Sequence, residues 1–138
     1  TWVTRPGLGV DRMSSAWLIR RFIDPEAGFA FAPADAAAAM SGVLRFDMFE
    51  GEFTHEGDRC TFEVLLDRFG LDEPALRAVA DVVHDIDCKE ERYGRPETPG
   101  VAAIVEGIRR SGLDDATRIG QGDVLFEGLY RGFASRDR

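Results

Sequence analysis

Apolar positions change their spacing near residue 60, and the expected elements follow from that change. Before it, short runs alternate with loops. Trp2-Val3-Thr4, Phe29-Ala30-Phe31-Ala32 and Val43-Leu44-Arg45-Phe46 have the length and the β-branched or aromatic content of strands. After it, apolar residues return every three or four positions. Phe62, Leu65, Leu66 and Phe69 do so up to Gly70; Leu76, Val79, Ala80 and Val83 repeat the spacing, as do Val101, Ile104, Val105 and Ile108. Thr98-Pro99 reads as a capping residue followed by proline at the first helical position, with Gly112 as a stop. A last helix is expected within residues 116–133. In the first half, one helix is predicted from a cap at Asp11 to about Ile23, where Pro25 enforces the stop. Met13, Ala16, Trp17, Leu18, Ile19, Phe22 and Ile23 make it apolar around most of its circumference, so it belongs near the centre. The alanine-rich segment between the second and third strands also reads as helical. This order predicts an α+β fold, or a small α/β one: a short three-stranded sheet from the N-terminal half packed against five to six helices, with a helical C-terminal half.

Composition narrows the classes. The 138 residues are one domain's worth, 44% are hydrophobic, and ten Phe and two Trp can anchor a core. No run approaches the roughly 18 apolar residues of a membrane span, so no membrane partner is expected. Seventeen basic against 25 acidic residues leave a formal charge of −8, which argues against this domain holding nucleic acid directly. The opening Thr1-Trp2-Val3-Thr4-Arg5 reads as a strand and lacks the charged and apolar regions of a secretory signal. It also points to a single domain, 1–138, cut from a longer chain. Cys60 and Cys88 form no CxxC pair, and two free thiols in a reducing cytoplasm are expected.

Two places can carry chemistry. In the first, Gly7 and Gly9 precede a helix start flanked by Arg5 and Arg12, with Ser14 and Ser15 in its first turn. Arginine forks, free helix N–H groups and hydroxyls suit a small oxyanion. An ordinary glycine turn with solvated arginines would have the same sequence, and Asp11 would compete for the donors. In the second, stepping from Ala80 along the apolar face of its helix reaches His84 and Asp87, with Cys88 one turn above His84. Buried ionisable groups need a partner or a metal. Glu63 lies beside the preceding apolar stripe and His55 in the loop that feeds it. The expected metal ligands are His55, Glu63, His84 and Asp87, a set suited to Zn²⁺, Fe²⁺ or Mn²⁺, with Cys60 and Cys88 as nearby soft or redox-active thiols. A simple His84–Asp87 hydrogen bond on a half-buried face is the plainer alternative.

Two families share motifs with these segments. Val83-His84-Asp85-Ile86-Asp87 is similar to the His–Asp helix signature of HD-type metal-dependent phosphohydrolases, with His55 upstream. Here Asp87 replaces the small residue that follows the Ile, and the upstream His stands in a glycine-containing loop. A wider resemblance runs through Thr1-Trp2-Val3-Thr4-Arg5-Pro6, Asp11-Arg12, Ser15-Ala16-Trp17-Leu18-Ile19-Arg20-Arg21-Phe22-Ile23-Asp24-Pro25, Glu52-Phe53-Thr54-His55-Glu56-Gly57-Asp58-Arg59-Cys60-Thr61-Phe62-Glu63 and Val83-His84-Asp85-Ile86-Asp87. These pieces, covering almost the whole chain, resemble the C-terminal domain of the ChrB chromate-resistance proteins, also labelled "chromate resistance exported protein". The resemblance implies a part in chromate sensing or in regulating a resistance operon, and an N-terminal partner domain. It does not define an activity. The label "exported" conflicts with the lack of a signal, and the expected location is cytoplasmic. Three readings follow: a binding module that senses or handles chromate or sulfate through a metal and an oxyanion site; a metalloenzyme on the same ligands, redox or phosphohydrolase; and an interaction domain without metal.

Overall fold

A computed structural model describes residues 1–136. Its order is β1 (Trp2–Thr4), α1 (Val10–Leu18), β2 (Phe29–Phe31), α2 (Ala34–Ala38), β3 (Leu44–Arg45), α3 (Thr61–Arg68), α4 (Pro74–Asp87), α5 (Thr98–Arg109) and α6 (Asp115–Arg136). The three strands form one parallel sheet in the order β2-β1-β3. With six helices and a helical second half, this is the expected α+β fold. β1 is central and buried throughout, as an inner parallel strand must be. Successive side chains on a strand face opposite ways: Trp2 enters the main core, whereas Val3 packs on the other face with Ala37 of α2 and Met48.

The first helix departs from its expected form. Its α-helical part ends at Leu18, and Ile19–Ile23 continue as a wider π turn closed by the Asp24 N–H on the Ile19 carbonyl. The extra residue turns three neighbouring side chains toward α6 at once. Arg20 pairs with Asp123, Arg21 pairs with Glu127, and Phe22 meets Tyr130 edge-on. The cap also differs. Gly9 occupies the N-cap position, and Asp11 lies inside the first turn, buried. At α5 the cap position belongs to Glu97, so Thr98 is the first helical residue, and its hydroxyl caps nothing.

Helix α6 presents one buried stripe, Ile119, Gly122, Phe126 and Phe133. Gly122 allows the close approach to α1, because a Cβ there would stand 3.2 Å from the Met13 Cβ. The centre of the core is Trp17. Its ring stacks on Phe62 of α3 at 6.5 Å and touches Phe126 and Tyr130 of α6. α1, α3 and α6 are thus joined through one side chain. This leaves the starts of α1 and α3, the end of α4 and the 46–60 loop gathered at one end of the bundle.

Candidate metal centre

Asp11 organises that end. It is 2% exposed, and an ionised carboxylate so placed requires donors. They come from another helix: Oδ2 accepts the Thr61 N–H and Oδ1 the Phe62 N–H, both at 2.9 Å. These are the first N–H groups of α3, which no intrahelical carbonyl can satisfy. Glu63 completes the cap by accepting the Cys60 N–H at 3.0 Å. One helix start is therefore held by a carboxylate of its own first turn and by a second from α1.

The loop between β3 and α3 brings His55 onto the same carboxylate. His55 Nε2 stands 3.0 Å from Asp11 Oδ2, 3.1 Å from Asp87 Oδ2 at the end of α4, and 4.0 Å from Asp47 Oδ1. Asp47 accepts hydrogen bonds from Arg12 Nε (2.9 Å) and the Thr61 hydroxyl (3.0 Å). Three carboxylates thus surround one histidine, with Arg12 the guanidinium in contact. The hydrogen bond to Asp11 raises the His55 pKa to about 9, against the opposing effect of burial. Burial, then the charge of Asp11, raises Asp47 to about 6, and burial raises Asp87 as well.

These directions set a pH dependence. A histidine raised from 6.5 to about 9 contributes stability that is full below pH 6.5 and is lost as the pH rises through 9. Asp47, raised from 3.8 to about 6, adds stability only while protonated and loses it as the pH climbs through 6. The melting temperature of metal-free protein is therefore expected to fall from pH 6.5 to pH 9.5. His55→Gln flattens that decline. Because His55 is about half exposed, its share is discounted for solvent screening to about 1 kcal/mol. Calorimetry across this range checks it, and parallel curves for the two proteins would refute the assignment.

A second group adjoins the first. His84 is fully buried; its Nδ1 stands 2.6 Å from Glu63 Oε1, and its Nε2 contacts Glu90. Burial lowers its pKa, but the bonds to Glu63 and Glu90 outweigh that and raise it. Neither cysteine is in a disulfide: Cys60 is buried and Cys88 exposed. Burial pushes the Cys60 thiol far up and, followed by the charge of Asp87, pushes Cys88 up to about 11. Three sets of ligand atoms lie within 4.8 Å of one another: Asp11–His55–Asp87, Cys60–Glu63–His84, and His84–Cys88–Glu90.

The four ligands expected from sequence are therefore distributed over two neighbouring groups. His55 and Asp87 meet each other, and Glu63 and His84 meet each other. Asp11, Asp47 and Glu90 join these groups without being among the expected ligands. Asp11 reads locally as a cap of its own helix, and neither loop carboxylate belongs to a periodic pattern. Asp85, the neighbour of His84 in the phosphohydrolase-like signature, accepts the Tyr93 and Gly94 N–H groups at 3.0 Å. It holds a loop and, among the described residues, belongs to none of the three sets.

The expected oxyanion residues do not converge on one open point. Ser14 and Ser15 are fully buried, and the Ser14 hydroxyl donates to the Asp11 carbonyl. Arg12 is engaged by Asp47 and by the Pro6 and Gly7 carbonyls. The physical reason is the turn of α1: residues 14 and 15 follow the core-facing side, away from the loop that precedes the helix. Arg5 alone is exposed, on the rim of a cavity of about 320 Å³ shared with Asp47, Thr54 and His55. Among the described residues no helix is long and apolar enough to cross a membrane.

Comparison with known proteins agrees with the whole-chain resemblance. "Protein ChrB" of Cupriavidus metallidurans is 39% identical over 137 residues, covering 97% of this chain and 41% of that protein. The chain thus spans about two fifths of the length of this curated relative. No solved structure matches it. The family described as "ChrB, C-terminal domain" matches residues 2–133, so the chain belongs to that family.

Proposed function

We propose that this domain binds a divalent metal ion at Asp11, His55 and Asp87 and serves chromate resistance as a sensing or accessory module. The observation that carries the reading is the convergence on His55 Nε2 of carboxylates from α1 and from the end of α4, at 3.0 and 3.1 Å. Those spacings fit hydrogen bonds to a protonated imidazole. An ion with bonds near 2.1 Å takes the place of that proton and keeps nitrogen and oxygens about 3 Å or slightly more apart, as donors on one ion stand. One imidazole among carboxylates suits Mn²⁺, Fe²⁺ or Zn²⁺. Asp47 stands close enough to join after giving up a partner. His55 is half exposed, so an ion can enter and leave, as a sensor requires. The same open face supports the second reading, a metalloenzyme, because a water can hold the remaining coordination position.

A small oxyanion such as chromate or sulfate would approach this centre past Arg5, the exposed cation on its rim. The family resemblance and the greater length of the curated relative support an N-terminal partner domain in the full protein. Titration calorimetry with Mn²⁺ on chelator-treated protein, together with elemental analysis of protein purified without chelator, tests the metal. Binding at one His55-dependent site is expected, weakened at least about ten-fold by His55→Ala or Asp87→Asn. Equal affinity in wild type and both variants, or no uptake at millimolar metal, would exclude the site.

A further inference from the structure

The helix that supplies Asp87 ends in an unusual way. After Cys88 the chain turns through Lys89 with φ +54, the left-handed conformation that helix ends reserve for glycine. The Glu90 N–H then reaches back to the Asp85 carbonyl at 3.1 Å, the longer bond of a Schellman turn. The consequence is geometric. Glu90 folds over the end of α4 and brings its carboxylate onto His84 Nε2, beside the Cys88 thiol one turn above. A glycine would take this turn without strain, so a lysine here means that the rest of the turn holds it.

We infer that His84 Nε2, Cys88 Sγ and Glu90 form a second cation site, selective for a thiophilic divalent ion such as Zn²⁺ and independent of the His55 centre. Their ligand atoms already lie within 4.8 Å of one another. Three different donors from seven residues of chain make a compact chelate. Behind the ring, Glu63 holds Nδ1 at 2.6 Å while anchored to the Cys60 N–H. A carboxylate on one imidazole nitrogen fixes the tautomer that leaves the other nitrogen's lone pair for the metal. Cys60 stays a buried thiol on the Glu63 side of the ring, outside the ligand set. Cys88 is exposed, which gives the ion its route in. The competing cation is Arg92, whose Nε is 3.5 Å from Glu90 while its Nη1 pairs with Asp58 at 2.9 Å. It can keep Asp58 when an ion takes Glu90. Binding releases the Cys88 thiol proton and the proton that His84 Nε2 shares with Glu90, and forms sulfur–, nitrogen– and oxygen–metal bonds with no change of oxidation state.

Cobalt(II) titration of chelator-treated protein under reducing conditions reads this site directly, because a thiolate ligand gives a near-ultraviolet charge-transfer band that oxygen and nitrogen ligands do not. One equivalent of cobalt is expected to develop the band in wild type, and one equivalent of Zn²⁺ to abolish it. The band is lost in Cys88→Ser, whose side chain is exposed and near-isosteric, and remains in His55→Ala and Cys60→Ser. Glu90→Gln keeps the band but needs about ten-fold more cobalt to reach half-saturation. A wild type without the band overturns the proposal, and so does a band that survives Cys88→Ser or depends on Cys60. Loss of the His55 centre with this band intact would leave the inference standing.

Discussion

Asp11→Ala is expected to remove about 3–5 kcal/mol of stability, enough to unfold most molecules of a domain whose total lies in the usual range of roughly 5–15 kcal/mol. The carboxylate is nearly sealed from water and accepts the Thr61 and Phe62 N–H groups at 2.9 Å each. Alanine leaves both donors inside without a partner and removes the anion facing His55. Asp11→Asn keeps the shape and one acceptor oxygen but turns an NH₂ toward the second donor, so its loss is expected to be about half as large. Urea denaturation of the three proteins should rank them wild type, Asn, Ala. If Ala proves as stable as wild type, Asp11 does not hold the start of α3. The same substitutions abolish metal uptake at His55 under the proposed function, and Asp11→Asn, which should remain folded, separates binding from stability.

The second large effect is expected at Trp17. Its ring is 3% exposed, lies parallel to Phe62 with an interplanar angle of 1° and meets Phe22 edge-on at 5.8 Å. Its Nε1–H donates to Glu127 Oε1 at 3.1 Å. Trp17→Ala opens a cavity where α1, α3 and α6 meet and should cost about 3–5 kcal/mol. Trp17→Phe retains most of the packing and forfeits mainly the bond to Glu127, at about 1–2 kcal/mol. Thermal unfolding followed by far-ultraviolet circular dichroism distinguishes the two. A loss under 1 kcal/mol for Trp17→Ala would mean that the helices close the gap without it.

The helices were legible because each must bury one face, and burial writes its period into the local chain. Phe62, Leu65 and Leu66 are all buried on α3, and Leu76, Val79, Ala80 and Val83 on α4. Gly70 and Gly112 take the positive φ expected of stops. β3 is shorter than the expected 43–46, at Leu44–Arg45, because Phe46, though its N–H still reaches the Val3 carbonyl, turns off to form an isolated bridge with Phe53. The π turn at Ile19–Ile23 left no mark, since a helical face and a slightly widened one have nearly the same apolar content.

By itself, the sequence determined the element order, the central helix around Trp17 and the helical second half, and it singled out the ligand-type residues: both histidines, two thiols and the acids beside them. Only the tertiary structure decided their partners. Asp11 shows the reason. A carboxylate at the start of a helix reads as the cap of that helix, because local pattern ranks the nearest free N–H groups first. In the fold, the glycine at position 9 takes the cap position, and Asp11 satisfies free N–H groups of the same kind at the start of α3. Likewise His84 and Asp87 share a helix face in sequence, yet His84 binds Glu63 and Glu90 while Asp87 faces His55. Helical spacing fixes where side chains leave one helix. Which donors and acceptors meet them depends on where the 46–60 loop and the turn at Lys89 place the rest of the chain, and periodicity carries no record of that.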